Sequence, residues 1–504
     1  MRTSTAASAL LLALLSTRAL SAGDSQAGDA AAMNARFNGV LRLNPANPNY
    51  FTDNSGKAIY LTGSHTWAVL QDINANPDIH FDYPEFLEMV TKNHHNFIRF
   101  WYFEQALRGS WSVEQVHFGP LPYPRTGPGL AGDGQPKFDL GSWNQGFFDR
   151  LRERVIAAGN RGIYVSVMLF NGFSLNKTAV DPRSDPWISN PYNPENNTSG
   201  VGARDAVADD DLNAAVHTMK NPELVRVQER YVRKTIETVN DLDNVLYEII
   251  NEGGAVDWQY HMVDFVHETE RAMPRQHPVG MNHRITGGFL NSDLYEGPAD
   301  WICPAGEPQG WVVPGSVMLE DYKENPPINR TGKVIVSDTD HLWGHGGNAK
   351  WVWKTFTRGL NPIFMDPWGT LGGKIDPKGA SWMFIQGGIC KDFRDYPDWD
   401  PVRRNMGYAR EYALRIDLVN MRPRSELSST GYCLASPGKE YLIYFPEGGA
   451  ATINLVRAPG EYAVEWFVPS LNRTLVGTEA LKGGAYIVLE PPFTGDAVLY
   501  LKKR

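Results

Sequence analysis

Two strand-length apolar runs of this chain emerge into acids. Residues 245–254 read VLYEIINEGG and residues 333–341 read KVIVSDTDH, which places Glu252 and Asp338 just past them, 86 positions apart (338 − 252). Two carboxyl groups that face each other across a pocket can break a glycosidic acetal. One is held protonated by burial or a neighbouring charge and gives its proton to the leaving oxygen. The other stays ionised and attacks the anomeric carbon or activates a water. Asn251 precedes the first acid and Gly253-Gly254 follow it, while Asp340 and His341 follow the second. The ends of other apolar runs offer His65 and Trp67, Arg99 and Trp101, Asn171, Asn282 and His283, and Asp366 and Trp368. One run, at 300–304, offers only Pro304 and Glu307.

These residues need a frame that gathers strand ends. Strand-length runs lie at 58–63, 96–101, 162–169, 244–250, 278–282, 300–304, 332–337 and 361–366. Several are continuously apolar, as expected of parallel strands buried on both faces. Helix-length segments separate them. Residues 146–159 place Phe148, Leu151, Val155 and Ala158 on one stripe and stop at glycines. Asn221-Pro222-Glu223 has the cap, proline and acid of a helix start, and residues 347–358 form another helix ended by Gly359. Eight strands with helices between them predict an α/β (β/α)8 TIM barrel over 37–426, with its chemistry at the C-terminal ends of the strands. The long connection at 171–220 would then lie at that face. From 427 to 504 the runs at 431–435, 440–445, 451–455, 461–467, 485–490 and 496–501 are separated by Gly, Pro and Asn, which predicts a small antiparallel β-sandwich.

Composition narrows the partners. Of 504 residues, 48 are Lys or Arg and 57 Asp or Glu, a net charge of −9, which argues against a nucleic-acid partner. The 15 Trp are either flat faces for a ligand or parts of a large core. Fourteen of them precede residue 427, and the remaining one, Trp466, shares a strand face with Tyr462 and Val464. That face is expected to pack inward, so the sandwich reads as an accessory module. Arg2, the apolar run 6–15 and the small residues 19–23 have the order of a secretory signal over 1–22, followed by a flexible leader over 23–36. This predicts a secreted or periplasmic protein with no membrane attachment after cleavage. Cys303, Cys390 and Cys433 allow at most one internal disulfide. Sequons stand at Asn176, Asn196, Asn197, Asn329 and Asn472. Oligomeric state is not readable from the sequence.

The chain resembles the clan A glycoside hydrolases, the family 5 cellulases and mannanases among them. Asn251-Glu252 matches that clan's fourth-strand pair, Arg99 in NFIRFW its second-strand arginine, and Trp368 in FMDPW its eighth-strand tryptophan. The opening YFTDNSGKAIYLTGSHTW, the HHNFIRFW segment and the C-terminal module are similar to the apiosidase-like hydrolases, which often carry an appended domain named for collagen binding. The resemblance implies Glu252 as acid/base, Asn251 at the sugar 2-hydroxyl, Arg99 orienting the second carboxylate and Trp368 beneath the −1 sugar. It implies a carbohydrate substrate of plant or algal type, no cofactor, no metal, and retention. Two departures stand against the pattern. Asp338 occupies the place of a glutamate, and the sixth strand has no Tyr to hold it. An Asp is one methylene shorter, so the backbone must approach or the pair must widen, and widening favours inversion.

Each assignment has a plainer rival. Glu252 could be a rim salt-bridge residue, Asp338 a turn cap with Asp340 as the second carboxylate, and Arg99 the partner of any buried acid. His65, His283 and His341 could hold neighbours instead of sugar, and Trp67, Trp101 and Trp343 could be core. Asp209, Asp210 and Asp211 lack the spacing and glycine of a calcium loop. His341 and His345 are spaced for zinc, but the adjoining glycines disfavour the helix that zinc needs. Besides an enzyme, the chain could be a non-catalytic carbohydrate-binding or adhesion protein, which has no need of facing carboxylates. A metal hydrolase would need His-x-His after the first strand, and the chain has Ser64-His65-Thr66.

Overall fold

The computed structural model describes residues 22–504 apart from 75, 79, 110–115, 176–184, 204–214, 284–290, 306–320, 344–345, 367 and 369–397. Eight parallel strands form one sheet: β1 Gly63–His65, β2 Phe97–Phe100, β3 Tyr164–Asn171, β4 Val245–Asn251, β5 Val279–Asn282, β6 Trp301–Cys303, β7 Val334–Asp338 and β8 Asn361–Met365. Their order is β1-β8-β7-β6-β5-β4-β3-β2. The sheet closes between β1 and β2, where Asn96 donates its backbone N–H to Thr62 O at 3.0 Å and its side chain accepts from Thr62 N. The strands come so close that a side chain at Gly63 would collide with the Phe97 carbonyl. This is the expected TIM barrel.

Helices follow the expected local signals. Helix Pro222–Val239 is capped by Asn221, whose side chain accepts from Leu224 N at 3.2 Å. Helix Gln145–Gly159 buries Phe148, Leu151, Val155 and Ala158. Among the described residues no helix is long and apolar enough to cross a membrane.

Inside the barrel, Phe97, Tyr164, Leu246, Trp301, Val336 and Ile363 pack as one apolar layer. Side chains two residues apart on a strand share a face. The next positions on those strands are Arg99, Ser166, Glu248, Cys303, Asp338 and Met365, so on four of the six the interior changes from apolar to ionisable within one step toward the C-terminal ends.

The C-terminal region is a seven-stranded antiparallel sheet with a separate two-stranded ladder, Ala451–Asn454 with Tyr486–Leu489. Its first strand, Arg422–Pro423, starts ahead of the boundary expected at 427. Two strands without an apolar run, Arg473–Val476 and Leu481–Lys482, escape the sequence reading. One face packs on the barrel: Trp353 meets Tyr444 and Phe467 at 6.2 and 5.9 Å, and Tyr412 donates to Glu465 at 2.7 Å. The other face encloses a core in which Trp466 lies 5.2 Å from Phe445, so Trp466 points inward as expected.

The leader differs from expectation. Residues 23–36 are not a free tail: helix Ala22–Asn34 buries Ala30 and Met33. Asn34 donates to Asp241 O at 2.7 Å and accepts from Asp243 N at 2.8 Å, which ties the helix to the turn that feeds β4. Small residues leave room for a close approach, and that tertiary contact carries no local sequence signature. Residues 1–21 of the proposed signal, Cys390, Asn176, Asp209 to Asp211, Glu307 and His345 lie outside the described residues. Asn196, Asn197 and Asn329 are buried and hydrogen-bonded, whereas Asn472 is exposed. Cys303 and Cys433 are free thiols.

Candidate active site

Arg99 organises the barrel mouth. Its side chain is 1% exposed, so its charge must be answered locally. Nε and Nη2 donate to the two Glu248 oxygens at 2.9 and 2.5 Å, and Nη1 donates to Asp338 Oδ2 at 2.6 Å. Nη2 also reaches Asn251 Oδ1 at 3.0 Å. From β5, Asn282 donates to Glu248 at 2.9 Å and to Asn251 Oδ1 at 3.3 Å. With its oxygen held by two donors, the Asn251 amide is fixed, and its NH2 makes no hydrogen bond within the protein.

Asp338 is held from three sides. Besides Arg99, it accepts from His65 Nε2 at 3.0 Å and from Asp340 N at 2.9 Å. Trp101 Nε1 lies 2.7 Å from His65 Nδ1. An indole N–H only donates, so Nδ1 is the bare nitrogen and Nε2 carries the proton that His65 gives to Asp338. Burial lowers the His65 pKa and keeps the ring neutral. Burial also pushes the Asp338 carboxyl up, but His65 and Arg99 outweigh it and hold the group well below the usual carboxylate range.

Glu252 follows β4 with φ of +52°, a left-handed conformation that a glutamate adopts at a cost of roughly 1–3 kcal/mol. That bend turns its side chain toward β7. Burial pushes its pKa up to about 8; Arg99 opposes the rise and Asp338 adds to it. Asp340 is raised well above its ordinary value by burial and by Glu252. His341 Nε2 lies 3.8 Å from Glu252 Oε1 and 3.7 Å from Asp340 Oδ2, and its Nδ1 meets Cys303 Sγ at 3.3 Å. Burial brings its pKa down to about 3. His283, also lowered by burial, to about 4, stands beside the group on β5.

Glu252, Asp340 and His341 are the one described set with the donors to hold a cation, each offering an atom within 4.8 Å of the others. Tetrahedral zinc with bonds of about 2.0–2.1 Å draws its ligand atoms to roughly 3.4 Å apart. The separations from His341, 3.8 Å to Glu252 and 3.7 Å to Asp340, are wider than that, and both carboxyls would have to give up their protons to bind a cation.

No family model matches the chain, and no curated protein does. Solved structures do. One glycoside hydrolase superposes with a TM-score of 0.58 over 92% of this chain and 97% of its own, at 12% identity. A glycoside hydrolase family 5 protein from Bacteroides vulgatus gives 0.59 over 92% and 94%, also at 12% identity. The fold is that of glycoside hydrolases. At such identity the likeness concerns the arrangement of elements, and chemistry has to be argued from side chains.

The remaining expected residues divide. Asn171 pairs in register with Asn251; it is buried, and its oxygen accepts from Phe173 N. Trp368 is 3% exposed and meets Phe81 and Phe86 edge-on at 5.9 and 5.5 Å. Trp101 stacks on Phe103, and Trp67 meets Phe103 edge-on and Trp101 at a tilt. Most described tryptophans are buried, so the high count serves the core; Trp143, Trp343 and Trp399 are half-buried.

Two features escaped the sequence reading. Glu248 lies within its apolar run and not at the end of it, and a glutamate inside an apolar strand is itself a signal. A buried pair also lies at the end of β3: Glu104 accepts from Asn171 N at 3.1 Å and meets His217 Nε2 at 3.0 Å. His217 comes from the long connection and has no local mark.

Proposed function

We propose that the protein is a secreted or periplasmic glycoside hydrolase that cleaves plant- or algal-type oligo- or polysaccharides. Glu252 protonates the leaving oxygen and Asp338 is the ionised carboxylate at the anomeric carbon. One observation carries this reading: at a single barrel mouth, burial raises Glu252 to about 8 while Arg99 and His65 hold Asp338 ionised. Environments that drive two acids apart in this way assign an acid and an anion. Asn251, its oxygen fixed, presents its NH2 as a donor to a sugar hydroxyl. Export rests on the order of charge, apolar run and small residues at the N-terminus. The substrate class rests on the resemblance.

The test is a pair of variants assayed on glycan panels and on aryl glycosides. Glu252→Gln should slow unactivated glycosides by ~10²–10⁴-fold and spare substrates whose leaving group needs no proton. Asp338→Asn should abolish turnover on both. Wild-type turnover by Glu252→Gln on an unactivated glycoside defeats the proposal. The anomer released, followed by NMR, distinguishes retention from inversion.

A further inference from the structure

Glu252 sits in a strained turn, and that turn is held by residues for which the two-carboxylate reading has no use. Glu252 has φ of +52° and Gly254 φ of +76°. A left-handed glutamate persists only where the surrounding structure over-determines it. On one side Gln259, from helix Val256–Glu270, donates its side-chain amide to Gly253 O at 2.8 Å. On the other, Ala255 N donates to His217 O at 2.9 Å. A side chain at Gly254 would meet the Trp258 ring at 2.9 Å, so the turn is pressed against that indole. The His217 ring packs 5.0 Å from the same Trp258 and 5.5 Å from Phe170 of β3. It meets Glu104 Oε1 at 3.0 Å, and that oxygen also accepts from Asn171 N at 3.1 Å. A carboxylate oxygen only accepts, so His217 Nε2 is the donor. Gln228 closes the bracket: it accepts from Trp258 Nε1 at 2.9 Å and donates to Val216 O at 3.0 Å. The side chains of Glu104 and His217 are both 0% exposed, so neither reaches a substrate.

We propose that His217 is a positioning residue for Glu252: Glu104 fixes its ring, and its backbone carbonyl fixes the turn that presents the acid. This rests on the reading of Glu252 as the acid. The carbonyl that holds Ala255 N belongs to the long connection, and the ring buried on Glu104 decides where that carbonyl stands. Without the ring's bond to Glu104, residues 216–217 keep only the Gln228 contact, and the acceptor for Ala255 N shifts. The backbone at Glu252 is then free to leave the left-handed region, and its carboxyl swings off the leaving oxygen. A displacement of about 1 Å at a reacting group costs on the order of 10²-fold in rate. The effect is selective. Asp338 has its own bonds to Arg99 and His65, from β2 and β1, and does not ride on this turn. Loss of His217 therefore impairs proton delivery and leaves the second carboxylate in place.

The test compares kcat/KM on two substrates of the intact protein, an unactivated glycoside and an aryl glycoside whose leaving group needs no proton. His217→Phe keeps a ring against Trp258 and Phe170 and deletes the donor to Glu104. It should lower kcat/KM on the unactivated glycoside by about 10- to 100-fold and on the aryl glycoside by about twofold at most. His217→Gln, whose amide can donate to Glu104, should recover most of the lost rate. Should His217→Phe fail to fold, the double variant Glu104→Gln/His217→Phe leaves no unpaired buried charge, keeps an acceptor for Asn171 N, and is read in the same way. Equal losses on both substrates, which a merely structural role gives, overturn the proposal, and so does an unchanged rate on the unactivated glycoside. Full turnover by Glu252→Gln on the unactivated glycoside would remove the acid assignment itself. A selective loss in Glu252→Gln without one in His217→Phe would remove only the positioning role, so the two failures are distinguishable.

Discussion

Glu252→Gln should stabilise the protein, and only above acid pH. The folded-state pKa of Glu252 is raised from 4.5 to about 8. Below 4.5 both folded and unfolded forms bind the proton, and the variant gains nothing. Between 4.5 and 8 the unfolded chain releases the proton and the folded chain retains it, so the wild type loses stability as pH rises. At pH 7 the gap is 2.5 pH units, which at 1.36 kcal/mol each amounts to roughly 3 kcal/mol. A glutamine is neutral at every pH and escapes that loss. Its amide still needs partners in a site 10% exposed, which subtracts a pH-independent ~1–2 kcal/mol. The slope against pH is therefore the signature. Denaturant midpoints of wild type and variant at pH 4, 5.5, 7 and 8.5 should diverge upward and level off above 8. Parallel curves would refute the claim that burial holds this proton in place. The same variant should be nearly inactive on unactivated glycosides, so stability and turnover move in opposite directions.

Further expectations follow from the buried network. Glu248→Gln removes the negative charge and one of the two acceptors that Glu248 offers Arg99 and should cost about 2–3 kcal/mol, with kcat falling at least tenfold as Arg99 loses its orientation; unchanged denaturation and turnover would show that Asp338 alone positions it. Trp101→Phe keeps the ring but deletes the donor to His65 Nδ1, so His65 can adopt the other tautomer and kcat should fall about tenfold with little change in melting temperature; a wild-type rate would sink the tautomer argument. Deleting 427–504 strips the cover from Trp353 and Tyr412 and should yield insoluble protein; a soluble, active barrel recovered from that deletion would show that the docked face is dispensable.

The eight barrel strands were legible because strands buried on both faces read as uninterrupted apolar runs. The first was placed at 58–63 but pairs at Gly63–His65, since Ile59 instead bridges Phe51 in the N-terminal hairpin and the apolar run outlasts the strand that it feeds. The strands at 473–476 and 481–482 carry mostly exposed side chains and left no periodic mark. In the site, Arg99, Asp338, Asn251 and Glu252 are legible as polar residues toward the ends of apolar runs. Glu248 shares the layer of Arg99 and Asp338, but it lies inside an uninterrupted apolar run, three residues before Asn251, and not at the end of that run. His341 was visible only as a neighbour of Asp340, because its relation to Glu252 depends on how β4 and β7 approach across the barrel.

The layer charge explains why acids only a few ångströms apart differ so much. Arg99 contributes one positive charge and serves two buried carboxylates, Glu248 and Asp338, so the trio carries 1 − 2 = −1. The negative charge sits beneath the mouth, where no further described cation makes contact with it. Asp338 lies on the guanidinium and stays ionised. Glu252 and Asp340, one step farther out and without hydrogen-bond donors of their own, meet burial and a net negative neighbourhood, and both effects favour the proton. A barrel mouth that only bound sugar would have no reason to spend stability on an unpaired buried acid; a neutral amide at 252 would bind hydroxyls as well without that loss. A carboxyl at a position where its charge is disfavoured thus supports the proposed proton transfer, whatever the substrate.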